Sequence, residues 1–181
     1  MTRRFLVVLL LSGLLSGGPL AAQRTIYIVR HAEKVVKPGE RNPELSRAGK
    51  ERAQALARAL RSVKLDHCFA TQFRRTQDTV QPAAKAAGLD IERYAAGRES
   101  KFVKTLLAEV KGKNILVAGH SNTVPALLKH LGLEKKVRLD DGDYDDLFIV
   151  RLDGNNRPTL LHLHYGAPNP DAPKTKSPSK R

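Results

Sequence analysis

The stretch TIYIVRHAEK, residues 25–34, is the part of the sequence from which the fold is predicted. Its first half, 25–29, is a continuous run of apolar and β-branched residues, which is typical of a strand buried in a parallel sheet. The run ends in Arg30 and His31, so two polar side chains leave the strand together. Such a pair has a function only if other strand exits supply partners for it.

Strand-like and helix-like segments alternate along the rest of the chain. The predicted helices are 46–63, 74–88, 99–112 and a segment that starts near residue 123. The further predicted strands are 66–71, 89–94, 114–119, 144–152 and 159–165. The last two resemble a hairpin. This alternation predicts an α/β fold, a three-layer α/β/α sandwich with a mostly parallel sheet and helices on both faces.

Several residues are typical of helix ends. Ser46 and Asn122 are good N-caps for the first and last helices. Gly88 can terminate the second helix. Pro82 lies within that helix, where it removes a backbone hydrogen bond and predicts a kink.

The first 22 residues have the pattern of a secretory signal peptide. Arg3 and Arg4 precede an apolar run, 5–15, which is too short to span a bilayer comfortably, and small residues follow it. We expect cleavage after Ala22 and a secreted or periplasmic protein. An uncleaved segment would instead attach the chain to the membrane.

The remainder of the chain is basic and divides into a domain and a tail. Residues 167–181 are rich in Pro, Lys and Ser and predict a disordered basic tail, which leaves 23–166 as the domain. The net charge of +14 attracts anions of every kind, including phosphate esters, nucleic acid and anionic lipid. Aromatic residues are only 5% and scattered, so no specific nucleic-acid partner is predicted. The single cysteine, Cys68, lies in an apolar run and is predicted to be a buried thiol.

Three stretches that follow predicted strands resemble the motifs of one family. RHAEK (30–34) follows the first strand, TQFRRTQDT (71–79) begins at the end of the second, and VAGHSNT (117–123) ends a third buried strand. NPELSRAG (42–49) resembles the family's lead into its first long helix. Together they resemble the histidine phosphatase superfamily, which includes phosphoglycerate mutases, acid phosphatases and small phosphohistidine phosphatases. The resemblance covers nearly all of residues 25–165 and implies a phosphoglycerate mutase-like fold.

The resemblance implies a site for phosphoryl transfer at these strand exits. His31 is the predicted nucleophile, because a neutral imidazole nitrogen can form a covalent phosphohistidine. Arg30 and Arg75 are predicted to hold phosphate oxygens through their planar donor groups, with His120 as a further donor. Asn122 is an additional phosphate-binding candidate. Such a site needs no metal and no cofactor, and we predict none.

The second motif contains two adjacent arginines. The alignment with the family pattern places Arg75 at the phosphate-binding position. We expect Arg74 to be a solvated neighbour.

The proton donor for the leaving group is not evident from the sequence. Ser121 stands where the acid phosphatase branch has an aspartate, directly after the second histidine. Glu99 is a better candidate than Glu92, although a charge in the first turn of a helix explains Glu99 equally well. Easily displaced leaving groups depend less on an acid. The missing acid and the short chain resemble the small phosphohistidine-phosphatase-like branch more than the mutases.

Two further polar stretches have structural interpretations. His162 and His164 alternate on one strand and could ligate a metal, but no third ligand is apparent near them, which favours polar residues on an edge strand. The acidic segment 140–148 lacks the spacing of a calcium loop and is interpreted as a charged turn.

Taken together, the motifs predict an exported phosphatase that hydrolyses phosphomonoesters or phosphoramidates of small molecules or proteins through a phosphohistidine intermediate. The alternative is a non-catalytic phosphate- or polyanion-binding module of the cell envelope.

Overall fold

Six strands form a mixed sheet in the computed structural model, which describes residues 23–110, 114–134 and 136–169. The strands are β1 (Arg24–Arg30), β2 (His67–Thr71), β3 (Ile91–Tyr94), β4 (Asn114–Gly119), β5 (Asp146–Leu152) and β6 (Pro158–His164). The helices within the described ranges are α1 (Arg47–Ala59), α2 (Arg74–Ala87), α3 (Glu99–Glu109) and α4 (Thr123–His130).

The strands follow one another across the sheet in the order β3-β2-β4-β1-β5-β6. The first four run parallel to their neighbours, whereas β5 is antiparallel to β1 and β6 is antiparallel to β5. The prediction of an α/β fold with a mostly parallel sheet and a final hairpin is therefore confirmed. The position of β5 beside β1 was not predicted. It pairs Val29 with Leu147, so the loop before β5 reaches the edge at which β1 ends.

Helices cover both faces of the sheet because successive residues of its strands point to opposite sides. On β1, Ile26 and Ile28 belong to the core shared with α3 and α4, whereas Val29 belongs to the core shared with α1 and α2. This is the three-layer arrangement that the alternation predicted. Cys68 is fully buried in the second core, as expected.

Two of the predicted helix-end residues act as expected. The Ser46 hydroxyl accepts a hydrogen bond from the Gly49 N–H at 3.2 Å and caps α1. Gly88 ends α2 in the left-handed conformation, with φ of 68°, which glycine adopts without a steric penalty. Pro82 lies inside α2, and the helix continues through it to Ala87.

Two helices are shorter than predicted. Helix α1 ends at Ala59 rather than at residue 63, because Leu60 leaves the helical conformation and a turn follows. Helix α3 ends at Glu109, since Val110 is already extended.

The predicted signal peptide, 1–22, and residues 170–181 of the predicted tail lie outside the described residues. The first tail residues are described and contact the domain. The Ala167 carbonyl accepts a hydrogen bond from Arg52 at 2.8 Å, and Asn169 donates to Asp145 at 2.7 Å. None of the helices in the described ranges has the length and apolar character required to cross a bilayer.

Candidate active site

A cleft of about 530 Å³ lies at the carboxyl ends of the central strands β2, β4 and β1. Parallel strands bring their carboxyl ends to one edge, which is where α/β sheets bind ligands. The cleft is lined by the four residues to which the sequence assigned the main roles: Arg30, His31, Arg75 and His120. Arg30 and His31 lie at the end of β1, Arg75 lies in the first turn of α2 after β2, and His120 directly follows β4. These residues are up to 90 positions apart in sequence.

The hydrogen bond of His31 determines which ring nitrogen is available for chemistry. Its Nδ1–H donates to the carbonyl of Ala32 at 2.8 Å, and because a carbonyl only accepts, the unprotonated nitrogen is Nε2. The ring is buried, with 4% exposure, and burial is the main reason that the pKa of His31 is lowered to about 3. The charges of Arg30 and Arg75 and the nearby His120 lower this pKa further. His31 is therefore neutral near pH 7, as a nucleophilic imidazole must be.

The backbone around His31 is held from both sides. The His31 N–H donates to the Gly119 carbonyl at 2.9 Å, which ties it to β4. The next N–H, of Ala32, donates to the Thr79 hydroxyl at 2.8 Å, and Thr79 in turn donates to the Arg75 carbonyl at 2.7 Å. The Thr79 hydroxyl thus connects the backbone of Ala32, next to His31, to the backbone of Arg75.

An ion pair fixes the segment that follows His31. Arg52 on α1 donates from Nε to both Glu33 oxygens at 3.0 Å and from Nη2 to one of them at 2.7 Å. Its Nη1 reaches the carbonyls of Tyr165 and Ala167. Helix α1 comes close enough for this because Gly49 has no side chain: a Cβ there would lie 2.0 Å from the Glu33 carbonyl oxygen.

Arg30 is almost completely buried, and its orientation is set by the loop before β5. Its Nη1 donates to the carbonyls of Asp140 at 2.6 Å and Asp143 at 3.1 Å. Its guanidinium lies over the Tyr144 ring, 4.3 Å from the centroid. Backbone carbonyls and an aromatic face hold the guanidinium without a carboxylate partner, which leaves its charge available for an anion.

The structure distinguishes the two adjacent arginines as expected. Arg75 lines the cleft, over the Phe73 ring and with Nη2 3.4 Å from His120 Nδ1. Arg74 points elsewhere and pairs with Glu44 at 3.5 Å and Asp78 at 3.3 Å.

The hydrogen bonds of His120 define its tautomer. A guanidinium only donates, so His120 Nδ1 accepts from Arg75, and its Nε2–H donates to the Thr71 hydroxyl at 2.9 Å. The Thr71 hydroxyl then donates to Thr76 at 2.8 Å. Burial, followed by the charges of Arg75 and Arg30, lowers the pKa of His120 to about 4. The ring is therefore neutral in the protein by itself, and its Nδ1 can donate to a phosphate oxygen only after it takes up a proton.

Within the described part of the chain, neither Arg30 nor Arg75 forms an ion pair with a carboxylate. Among the described residues, the buried Nε–H groups of Arg30 and Arg75 have no hydrogen-bond partner. Burial and the charge of Arg30 lower the pKa of Arg75, which reflects the proximity of two like charges. A buried donor without a partner is unfavourable, and an oxyanion would satisfy such donors. The cleft is consequently suited to a phosphoryl group.

The two remaining candidates occupy different places. Asn122 lines the cleft at the N-terminus of α4, but its side chain makes no capping hydrogen bond. Asn122 thus occupies the predicted N-cap position of α4 without the predicted side-chain hydrogen bond. The neighbouring Thr123 hydroxyl accepts from the His120 N–H at 2.7 Å and fixes the backbone that leads into the helix. Glu99 is buried beside the cleft rather than among its lining residues, and its Oε1 accepts from the Gly97 N–H at 2.7 Å. That contact corresponds to a role in positioning the loop before α3.

Several cleft residues escaped the sequence interpretation. The acidic segment that was read as a charged turn supplies Tyr144 and two carbonyls to Arg30, and Asp141 lines the cleft. The antiparallel course of β5 brings this segment there, and no local pattern reveals that course. Thr71 was identifiable in principle, because it occupies the strand exit within the second motif.

A comparison with protein families agrees with this geometry. The family model for the histidine phosphatase superfamily (branch 1) matches residues 26–102. This part of the chain is similar to the histidine phosphatase superfamily. The matched segment includes His31 and Arg75, whereas His120 lies beyond it and is placed in the site by the fold.

Individual proteins are similar to this chain over different extents. A 2,3-bisphosphoglycerate-dependent phosphoglycerate mutase from Methanosarcina mazei is 42% identical over 60 residues, which are 30% of this chain and 25% of the mutase. The chain thus matches about a quarter of that relative's length.

Solved structures share the fold over almost their whole length. A protein assigned as the phosphohistidine phosphatase SixA from Agrobacterium tumefaciens has a TM-score of 0.60 and 22% identity, over 81% of this chain and 99% of that one. A protein assigned as an alpha-ribazole-5'-P phosphatase from Escherichia coli has a TM-score of 0.65 and 17% identity, over 78% and 96% of the two chains.

Proposed function

We propose that this protein is an exported phosphatase in which His31 forms a phosphohistidine intermediate. In the first step, Nε2 attacks the phosphorus atom and the bond from phosphorus to the leaving oxygen or nitrogen breaks. The leaving group departs with the electron pair of that bond and takes a proton from water. In the second step, water attacks the phosphohistidine, which releases inorganic phosphate and restores the neutral ring. Arg30, Arg75 and a protonated His120 would hold the equatorial oxygens.

One observation carries this proposal: the His31 Nδ1–H bond to its neighbouring carbonyl, which leaves Nε2 unprotonated in a cleft with two unneutralised guanidinium groups. These guanidinium groups would supply the positive charge that metal ions supply at many other phosphoryl-transfer sites. We therefore propose that the reaction needs no metal ion. Activity should persist when divalent ions are removed with a chelator.

The site favours a substrate with a good leaving group. Ser121 follows the second histidine and lines the cleft, while Glu99 is engaged with Gly97. Without a well-placed acid, a leaving alkoxide would lack help that contributes roughly 10²–10⁴-fold to the rate. A phosphoramidate depends less on such help, so we place phosphoramidates before alkyl phosphomonoesters. The assigned activities of the fold neighbours include both a phosphohistidine phosphatase and a phosphomonoesterase.

Export remains a proposal that rests on residues 1–22. Their charged start, short apolar run and small residues before position 23 are the features of a cleaved signal. The N-terminal sequence of the protein recovered from the cell envelope or medium tests it, with Gln23 as the expected first residue.

The catalytic proposal is tested with wild type, His31→Ala and the matched variant His130→Ala, which changes an exposed histidine on α4. Hydrolysis of phosphohistidine and p-nitrophenyl phosphate should fall by at least about 10³-fold in His31→Ala and remain unchanged in His130→Ala. A rapid quench should trap an acid-labile, alkali-stable phosphoenzyme in wild type alone. Wild type that binds phosphate and never forms this species would instead favour the polyanion-binding module.

A further inference from the structure

The final hairpin brings together three side chains that have no part in the proposed phosphatase reaction. Asp146 at the start of β5 is the cross-strand partner of His164 on β6, and His162 is the diagonal neighbour two positions away. Because a strand alternates its side chains, both histidines lie on the same face as Asp146. This placement supplies the third ligand that the sequence did not reveal beside His162 and His164.

The distances in this cluster are close to those in a metal site. His162 Nε2 lies 2.6 Å from Asp146 Oδ1, and His164 Nδ1 lies 3.8 Å from the same oxygen. One ligand atom from each residue falls within 4.8 Å of the other two. Metal–ligand bonds of about 2.0–2.1 Å at tetrahedral angles separate ligand atoms by about 3.3 Å. Small side-chain rotations would therefore bring the three atoms around one ion.

The charge around the cluster favours a cation. Asp145 and Asp146 are consecutive and both almost fully buried, at 4% and 6% exposure. Within the described part of the chain, neither forms an ion pair with Lys or Arg within 4 Å, and both face imidazoles instead. Asp145 Oδ1 lies 3.1 Å from His164 Nδ1 and accepts from Asn169. A divalent cation among these side chains would neutralise both adjacent carboxylates.

We propose that Asp146, His162 and His164 bind a divalent transition-metal ion of the Zn²⁺ type. Two imidazoles and a carboxylate are a ligand set that suits Zn²⁺, whereas the hard ions Mg²⁺ and Ca²⁺ prefer oxygen ligands alone. His162 would bind through Nε2 and His164 through Nδ1. The side chains of these histidines are 41% and 62% exposed, so the ion can enter from solvent and the fourth coordination position is open to water.

The proposed metal site is separate from the catalytic cleft. Its ligands border a groove of about 410 Å³ that shares none of its lining residues with the cleft. The loop before β5 lies between the two, since Asp140 and Asp143 face the groove and Asp141 faces the cleft. The proposal does not depend on the phosphatase reaction, and binding can be measured whether or not the protein is active.

The test uses untagged protein, because a histidine tag binds the same ions. Zn²⁺ binding is measured by calorimetry, and Co²⁺ replaces it for the visible absorption of a tetrahedral site. The variants are His162→Gln, His164→Gln and Asp146→Asn. His130→Gln on α4 is the matched control, because it removes an exposed histidine outside the cluster. Circular dichroism identifies any variant that does not fold, and the two exposed histidines keep the test valid if Asp146→Asn fails.

We expect one Zn²⁺ per chain, with each cluster variant binding at least about 100-fold more weakly than wild type and His130→Gln binding like wild type. A large excess of Mg²⁺ should not displace the ion. The proposal is overturned if Zn²⁺ shows no saturable binding or if His162→Gln and His164→Gln bind it like wild type. Equal competition by Mg²⁺ would also overturn it, because the cluster would then be an unspecific acidic patch.

Discussion

Glu33 and Arg52 form a two-pronged ion pair that joins the segment after the nucleophile to the first helix. The Arg52 side chain is 4% exposed and that of Glu33 is 23% exposed, so the pair is largely removed from water. Arg52 also donates to two carbonyls beyond β6, and its donor groups therefore connect three parts of the chain. Arg52 thus supplements the backbone hydrogen bonds that His31 and Ala32 make to Gly119 and Thr79.

Replacing Arg52 by alanine should strongly destabilise the fold. Removal of one partner from a buried ion pair costs about 3–5 kcal/mol, because the remaining charge is left without compensation. Arg47→Ala on the same helix is the matched control, since its pair with Glu51 is exposed. The Arg47→Ala variant should lose no more than about 0.5 kcal/mol of unfolding free energy. Chemical denaturation measures both, and equal effects would contradict the role assigned to Arg52.

A methyl group at Gly49 should separate α1 from the nucleophile segment. Gly49→Ala would place a Cβ 2.0 Å from the Glu33 carbonyl oxygen, so the backbone must shift at a cost of about 1–3 kcal/mol. Gly142→Ala is the control, because nothing lies within 4 Å of a Cβ there. Thermal unfolding should show a clear loss for the first variant and little change for the second. A Gly49→Ala protein as stable as wild type would mean that the helix can move away freely.

Replacement of the two adjacent arginines, Arg74 and Arg75, should have very different effects on activity. Arg75→Ala removes a guanidinium from the cleft and should lower kcat/KM by about 10²–10³-fold, the loss found when a donor to developing negative charge is removed. Arg74→Ala removes an exposed ion pair and should change kcat/KM less than about threefold. Steady-state kinetics with p-nitrophenyl phosphate compare them. Equal losses of kcat/KM in the two variants would mean that the phosphate does not bind at Arg75.

The buried histidines should make the fold less stable as the pH falls. In the unfolded chain a histidine binds its proton near pH 6.5, whereas burial keeps the pKa of His31 at about 3 and that of His120 at about 4. Between the pKa values of the folded and the unfolded state, the unfolded chain binds more protons than the folded protein. The free energy of unfolding therefore declines from pH 7 to pH 5. His31 alone should account for about 2 kcal/mol of that decline.

Urea unfolding at pH 7 and pH 5 measures this effect. His31→Asn should show a smaller decline than wild type, because it removes the titrating ring while its amide can still donate to the Ala32 carbonyl. His130→Asn, on the exposed end of α4, should keep the wild-type decline. If His31→Asn had the same pH dependence as wild type, His31 would not be the neutral buried ring described above.

Binding of a dianion should transfer a proton to His120. In the protein by itself its Nδ1 accepts a hydrogen bond, and two arginine charges and burial keep the ring neutral. A bound dianion offsets those charges and raises the pKa, so about one proton should be taken up per site near pH 6. Sulfate is the probe because it stays doubly charged in this range. Calorimetry in buffers of different ionisation enthalpy measures the uptake, which should vanish in His120→Gln.

The sequence was sufficient to predict the α/β class and that Arg30, His31, Arg75 and His120 lie together in one cleft. Each of these residues stands in a short motif at or just after a strand exit, and parallel strands place their exits on one edge whatever the details of packing. Arg75 could be distinguished from Arg74 because the resemblance to the family pattern aligns Arg75 with the phosphate-binding position.

Other features depended on contacts that are distant in sequence. Tyr144 reaches Arg30 because β5 pairs with β1 in an antiparallel direction, and a strand's own residues do not specify its neighbour. Asp146 meets His162 and His164 through the register of the hairpin. Asn122 stands at the N-cap position of α4 as expected, but its side chain makes no capping hydrogen bond, which the residue type alone does not reveal.

The amino-acid sequence by itself determined which chemical groups leave the central strands of this protein, because motif order and hydrophobic periodicity are local properties. Only the tertiary structure decided the state of those groups. The tautomer of His31 follows from one carbonyl, its neutrality follows from burial, and the tautomer of His120 follows from Arg75 and Thr71. Hydrogen bonding, burial and charge depend on distances in space, and those distances arise only when the layers pack together.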